Sequence, residues 1–392
     1  MDFALSPEQE ALRDSVRGFA RRTLADRALE RAHDPSYPWD LAAAVGKQSL
    51  LGLALPEAHG GGGAALLDAV LVMEELAVVC PTSADVFQAG NFGAIRTLSE
   101  YAGEKLRDRI LPPLLDGTGL IALGMSEPEA GSAVTDLRTT ARVDGEWCVV
   151  NGTKMWSTNS TDATVFLVYV RFGPGARGIG SVIVERDAPG LTVGPPETYM
   201  SGEQWSLLTF DDCRVPAENV LIDSDGFKRQ ISAFNVERIG NATRALSLGR
   251  LCYDTARDHA ATRKQFGRTL SEFQGVQWKF AEMAVQLDAA QLLLYRAASE
   301  LDDGLPRARE TAIAKYACNT AGFNAANESL QVMGAMGYST QTLVEYCLRP
   351  SPLMRSLVRN LPPLVDGRVP VPAGPGLGIE LDDAIIDQFR VA

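Results

Sequence analysis

The sequence is poor in the side chains that most often do chemistry unaided. Three histidines (His33, His59, His259) lie far apart in 392 residues. Neither a histidine metal site nor a Ser-His triad is expected, and no metal is expected at all. Six cysteines (Cys80, Cys148, Cys213, Cys252, Cys318, Cys347) include no CxxC pair, which reads as reduced thiols in a cytoplasmic protein. Cations are outnumbered, 37 Lys+Arg against 49 Asp+Glu for a formal charge of −12. Nucleic acid is therefore not an expected partner, since binding phosphates needs a basic face. No apolar run approaches the ~20 residues of a membrane helix, and Met1-Asp2-Phe3 lacks the basic and apolar regions of a leader. What remains is an ordinary globular composition, 46% hydrophobic and 22% charged, long enough for two or three domains of ~150 residues. Its chemistry must come from carboxylates or from a bound cofactor.

Three textures follow one another. Ser6-Pro7-Glu8-Gln9 opens a helix, with Ser6 as cap, Pro7 at the first helical position and Gln9 closing a capping box. Helical patterns continue through an amino-terminal domain, 1–118, broken at Pro56 and at Gly60 to Gly63, which reads as a flexible surface loop. Residues 119–225 read as a β domain. Val143-Asp144-Gly145-Glu146 and Val150-Asn151-Gly152-Thr153 look like hairpin turns, and 164–171 and 181–185 like strands. From 226 to 350 long helices return. Val276, Phe280, Met283, Leu287, Ala290 and Leu294 form a seam spaced 4, 3, 4, 3, 4, as in a helical bundle. The stretch 351–392 is a separate tail, and the prolines and glycines of 361–378 cannot continue a bundle.

Gly173 to Gly178 matches GxGxxG, but a strand follows it where a dinucleotide fold needs a helix, so it reads as a hairpin loop. Met125-Ser126-Glu127-Pro128-Glu129-Ala130-Gly131-Ser132, at the helix-to-strand junction, offers hydroxyls and free N–H groups to a pyrophosphate. Lys154-Met155-Trp156-Ser157-Thr158-Asn159 sets an indole beside a hydroxyl, suited to covering a flat ring, although a lone tryptophan is more often core. Arg263-Lys264-Gln265-Phe266-Gly267-Arg268 with Phe273-Gln274 is a basic break between helices. It reads either as a phosphate fork or as a solvated charge run.

In this order, on an α–β–α chain, the three motifs resemble the acyl-CoA dehydrogenase family of flavoproteins, from the amino terminus to about Arg349. Gln331-Val332-Met333-Gly334-Ala335-Met336-Gly337 is similar to that family's QxxGGxG turn, with Ala335 replacing one glycine. The resemblance implies a multi-domain α and β fold: an amino-terminal helical domain, a middle β-barrel and a carboxy-terminal four-helix bundle, usually as a homotetramer around FAD. It implies that Met125, Ser126, Gly131 and Ser132 hold the flavin edge and pyrophosphate, Ser132 also touching substrate, that Trp156 lies against the ring, and that Thr158 bonds near N5. Arg263, Phe266 and Gln274, with Gln331, Gly334 and Ala335, are expected to reach FAD of a neighbouring subunit. The implied reaction removes an α-proton and a β-hydride from an acyl-CoA or acyl-carrier-protein thioester and passes electrons to an electron-transfer flavoprotein.

The chain departs from the family at its base. The usual loop glutamate, about 27 residues after the QxxGG glutamine, falls at Val358-Arg359-Asn360; the usual Arg-Asp becomes Arg349-Pro350, and Ala133 stands where aspartate is usual. The tail, with Pro372 to Gly378, looks instead like the end of mandelate-racemase-type enolase-superfamily enzymes. A subset of the family carries its base on a helix immediately before an arginine, and Val236-Glu237-Arg238 occupies that place. Glu237 is the expected base and Arg238 the residue shaping the thioester pocket; the bland reading of Glu237 is a surface or ion-paired glutamate. Relatives lacking the loop base also include thioester desulfinases, enoyl-thioester reductases and flavin monooxygenases, and an inert flavin- or CoA-binding subunit is a further alternative.

Overall fold

A computed structural model describes residues 4–199, 202–302, 304–339, 341 and 343. Helix α1 (Pro7–Thr23) starts on the capping box its sequence announces: Ser6 Oγ accepts the Gln9 N–H at 3.2 Å and Gln9 Oε1 accepts the Ser6 N–H at 3.1 Å. Then come α2 (Ala28–His33), α3 (Trp39–Gly46), α4 (Leu66–Ala77), α5 (Pro81–Asn91), α6 (Ala94–Tyr101) and α7 (Glu104–Asp116). Helix α4 is buried almost all round, which its run LLDAVLVMEELA requires. The Gly60–Gly63 segment is not the loose loop expected. Gly61 and Gly62 donate to Pro56 O and Gly52 O, and a Cβ on Gly61 would fall 2.3 Å from Leu55 O. Glycine is there for close backbone packing.

Eight strands follow: β1 (Ile121–Gly124), β2 (Thr140–Asp144), β3 (Trp147–Lys154), β4 (Val165–Arg171), β5 (Ile179–Glu185), β6 (Leu191–Thr198), β7 (Gln204–Pro216) and β8 (Val220–Ile222). They form one mixed sheet, β6-β7-β3-β2-β4-β5-β8, with β1 parallel to β4. Strands β4 and β5 are buried on both faces and read as unbroken apolar runs. The turn at Gly145 closes the β2–β3 hairpin as expected, and Gly173–Gly178 joins antiparallel β4 and β5. Asn151-Gly152, however, is a bulge inside β3 rather than a turn. The register against β7 slips between Val150 and Gly152, where φ is 142°. An Asn-Gly pair suits either device, because both need an unusual backbone angle.

The last described region has three long helices, α8 (Phe227–Thr262), α9 (Gln274–Ser299) and α10 (Ala308–Met333). Short hairpins link them, β9 (Lys264–Gln265) with β10 (Arg268–Thr269) and β11 (Leu301–Asp302) with β12 (Leu305–Pro306). Met283, Leu287, Ala290 and Leu294 are buried at the spacing the sequence predicts. The chain thus has an amino-terminal helical domain, a middle β domain and a carboxy-terminal helical domain. Residues 344–392, where the fourth bundle helix, Val358 to Asn360 and the Pro/Gly-rich tail would fall, lie outside the described residues. One apolar core runs from α1, α4 and α5 into α8, α9 and α10. Buried Glu74 of α4 adds a polar tie, accepting from Tyr295 Oη at 2.6 Å and Gln291 Nε2 at 3.2 Å on α9.

Candidate active site

Glu237 lies on α8 where that helix crosses α5. Its Oε1 accepts hydrogen bonds from Gln88 Nε2 at 2.7 Å and Asn241 Nδ2 at 3.1 Å. Oε2 takes none among the described residues and faces Gly93, where a Cβ would stand 2.7 Å away. No cation pairs with Glu237 among the described residues. Burial pushes the carboxyl above the ordinary carboxylate range, and the two amide donors only partly oppose it. A surface or ion-paired glutamate would have neither property. Arg238 bonds Asn235 Oδ1 at 2.8 Å and lies 5.4 Å over the Phe234 ring. A further polar bridge also holds α5 to α8. Arg244, two turns beyond Glu237 on the same helix face, is ion-paired to Asp85 of α5 and reaches Glu203 Oε1 at 3.3 Å.

Glu203 leads into an aromatic platform at the edge of the sheet. Trp156 is 53% exposed and holds φ 61°, an uncommon backbone conformation for a bulky residue. Its ring lies 4.4 Å from that of Trp205 and 6.4 Å from that of Tyr199. Thr158, exposed beside it, bridges to Trp205 across the backbone. The core reading of Trp156 therefore fails, since an indole this exposed is not packed for stability. The loop after β1 is sewn to the same segment. Met155 N donates to Ser126 O at 3.0 Å and Ser157 Oγ to Leu123 O at 2.7 Å. Gly131 and Ser132 are exposed, past the tight Glu127–Ala130 turn, while Met125 and Ser126 are half-buried.

A buried ion pair sets this loop. Lys154, fully buried, donates to Glu127 Oε1 at 2.7 Å and to Met125 O at 3.1 Å. Glu127 also accepts the Arg138 and Thr139 N–H groups at 2.6 and 2.9 Å. Burial draws the Lys154 ammonium down to about 8 against the pull of Glu127. Burial alone would raise the Glu127 carboxyl, but its hydrogen bonds outweigh that and hold it below the ordinary range.

Arg263 follows the end of α8, and Phe266 (95% exposed) tips the β9–β10 hairpin; Gln274 opens α9, Gln331 lies in the last turn of α10, and Gly334 and Ala335 follow it, all exposed. Among the described residues no hydrogen bond, ion pair or ring contact joins these six to Met125, Ser126, Gly131, Ser132, Trp156 or Thr158. The structure therefore makes two separate groups. Sequence reasoning missed Gln88, Asn241, Tyr199, Trp205 and the Lys154–Glu127 pair. Only Asn241, one helical turn from Glu237, left a readable signal. Among the described residues no three His, Cys, Asp or Glu side chains gather as metal ligands, and no helix is long and apolar enough to cross a membrane.

Comparison with known proteins agrees along the chain. Residues 6–118, 122–213 and 224–357 match the amino-terminal, middle and carboxy-terminal domains of acyl-CoA dehydrogenase. The chain is 34% identical to 3-sulfinopropanoyl-CoA desulfinase of Paraburkholderia xenovorans, over 88% of this chain and 91% of that protein. It is 30% identical to the short-chain specific acyl-CoA dehydrogenase of Clostridium acetobutylicum, over 89% and 93%. The structure of butyryl-CoA dehydrogenase from Megasphaera elsdenii superposes with a TM-score of 0.83 at 31% identity, covering 89% of this chain and 94% of that one.

Proposed function

The chain belongs to the acyl-CoA dehydrogenase family, and from that premise we propose that it oxidises an acyl thioester between its α and β carbons, with Glu237 as the base. The observation that carries this reading is a buried glutamate with amide donors and, among the described residues, no counter-ion. A thioester acidifies its α-hydrogen, and a desolvated carboxylate is a stronger base toward it than one in water. Oε2, which takes no hydrogen bond among the described residues, takes the α-proton, while Arg238 shapes the pocket around the thioester.

The family is one of flavoproteins, and FAD is the cofactor this chain's residues fit. The exposed Trp156 face offers a flat ring a surface to lie on, and Thr158 offers a hydroxyl at its edge. Half-buried Ser126 and exposed Gly131 and Ser132 give small side chains for phosphate oxygens to approach, and a Cβ on Gly131 would meet nothing within 4 Å. Bound FAD supplies the acceptor for the β-hydride. Trp156→Ala is expected to weaken flavin retention about fivefold, the equivalent of ~1 kcal/mol of ring contact. Because the indole is exposed, melting of the flavin-free protein should hardly change. Equilibrium dialysis and thermal melts measure the two effects separately.

Arg263, Phe266, Gln274, Gln331, Gly334 and Ala335 are assigned to the flavin of a second subunit, in a homo-oligomer of two or four chains. Their exposure supports this. So do two apolar stripes at sevenfold spacing, Trp278, Val285 and Leu292 on α9, and Tyr316 and Phe323 on α10, all exposed. Val285→Glu with Phe323→Glu is expected to yield monomers by light scattering and to lower flavin content. An electron-transfer flavoprotein is the proposed electron acceptor, and the acyl carrier is CoA or a carrier protein.

The test is an anaerobic visible titration of the purified protein with acyl-CoA thioesters of graded length. Bleaching of the oxidised flavin band with one of them, and a product lighter by two hydrogens, is the expected result. Flavin that no thioester bleaches contradicts dehydrogenation. The similarity to 3-sulfinopropanoyl-CoA desulfinase makes desulfination the second reading. That reaction needs no α-proton base, and a product that has lost a sulfinate group identifies it.

A further inference from the structure

Two neutral amides hold one oxygen of Glu237. Gln88 Nε2 approaches Oε1 from α5 at 2.7 Å, and Asn241 Nδ2 approaches it from α8 at 3.1 Å while also donating to the Glu237 carbonyl at 3.1 Å. Oε2 is left facing the bare backbone of Gly93. The Gln88 orientation is not chosen for its own comfort, because its Oε1 is buried without a partner among the described residues. Turning the amide over would set two oxygens against each other at Glu237. The contact with Glu237 therefore governs the side chain, at the cost of an orphaned acceptor.

We propose that Gln88 and Asn241 are positioning residues for the base: they fix Oε1 as the oxygen that never carries the proton and so present Oε2 alone to the substrate. The proposal rests on Glu237 being the base. The chemistry of the donors suits a group that must exist in two states. An N–H bonded to Oε1 is satisfied most strongly by the carboxylate and still by the carbonyl oxygen of the neutral acid, so neither state breaks the arrangement. When the α-C–H bond breaks, the proton goes to Oε2, the electron pair stays with the substrate, and both amide bonds persist. A lysine or arginine in place of Gln88 would favour the ionised form strongly and make a weak base.

The surrounding charges are engaged elsewhere. On α8, Arg238 is bonded to Asn235 and Arg244 is paired with Asp85 of α5 and with Glu203. On α6, Arg96 donates to Ala54 O. On α4, Glu74 is held by Tyr295 and Gln291, and Glu75 by Arg13 and Arg17. The amides are thus the groups that oppose burial at Glu237.

The experiment follows the pH dependence of anaerobic flavin bleaching in the flavin-loaded protein. It compares wild type, Gln88→Met, Gln88→Glu, Asn241→Leu and Glu237→Gln, with melting temperature against pH for each. A hydrogen bond favours a carboxylate over its acid enough to move its pKa by about one unit. Gln88→Met and Asn241→Leu are therefore expected to move the ascending limb about one pH unit upward. Gln88→Glu, equal in shape but without a donor once ionised and then adding a like charge, is expected to move it further still. A structural role for Gln88 predicts the opposite order, with the isosteric glutamate closest to wild type. In melting, Gln88→Met is expected to extend the loss of stability to higher pH in the wild-type background and to have no such effect in a Glu237→Gln background. An unmoved limb in both Gln88 variants, with Glu237→Gln inactive, overturns the positioning role alone. Wild-type bleaching by Glu237→Gln overturns the base and this proposal with it.

Discussion

Glu237→Gln is expected to retain flavin and thioester binding while slowing reduction by roughly 10²–10⁴-fold, the usual worth of a positioned base. The substitution is nearly isosteric, and an amide can still accept from Gln88 or Asn241, so the pocket should stand. A gain in stability should accompany the loss of activity. Burial raises the Glu237 carboxyl above its ordinary value in the folded state. From the ordinary value up to that raised one, the folded protein binds more protons than the unfolded chain, so stability falls as pH rises through this window. Glutamine carries no charge to bury. Melting of Glu237→Gln should match wild type below the ordinary carboxylate value and exceed it by a margin that grows as pH rises through this window. A variant that is slower but gains nothing at high pH would point to a glutamate in contact with water.

Lys154→Met should have the largest effect on the fold. It leaves Glu127 buried with two backbone donors and no cation, and breaking one side of a buried pair costs about 3–5 kcal/mol. The same change frees Met125 O and loosens the loop that carries Ser126 and Ser132, so flavin should be lost well below the melting temperature. Adding Glu127→Gln removes the stranded charge and should recover much of the stability, which a double-mutant cycle on thermal melts measures. Flavin content should recover less, because the amide cannot replace the ammonium on Met125 O. Lys154→Met melting like wild type would mean that water, and not Lys154, satisfies Glu127. The sign against acid also follows: Glu127 stabilises the fold above its unfolded value, and this is lost as pH falls through its depressed folded value.

The elements that local pattern determines were legible in the sequence. The capping box at Ser6, the α9 seam and the hairpin at Gly145 each follow from neighbours within a few residues, and each stands where the pattern puts it. Asn151-Gly152 was ambiguous because a bulge and a turn demand the same backbone freedom. Trp156 needed the structure: only its left-handed backbone and its exposed face distinguish a platform from a core indole. The partners of Glu237 divide along the same line. Asn241 is four residues away on one helix, whereas Gln88 is 149 residues earlier and nothing local marks it. The Lys154–Glu127 pair spans 27 residues and two secondary structures, and polar residues in a Ser/Gly-rich motif do not announce which of them is buried.

The most direct measurement is α-hydrogen exchange in deuterated water, followed by mass on unreacted acyl-CoA held with the anaerobic protein. It reads proton removal without depending on the fate of the hydride. Glu237 as base predicts uptake of one or two deuterons at the α-carbon with wild type and none above background with Glu237→Gln at equal occupancy. Exchange by Glu237→Gln at the wild-type rate would show that another group takes the proton.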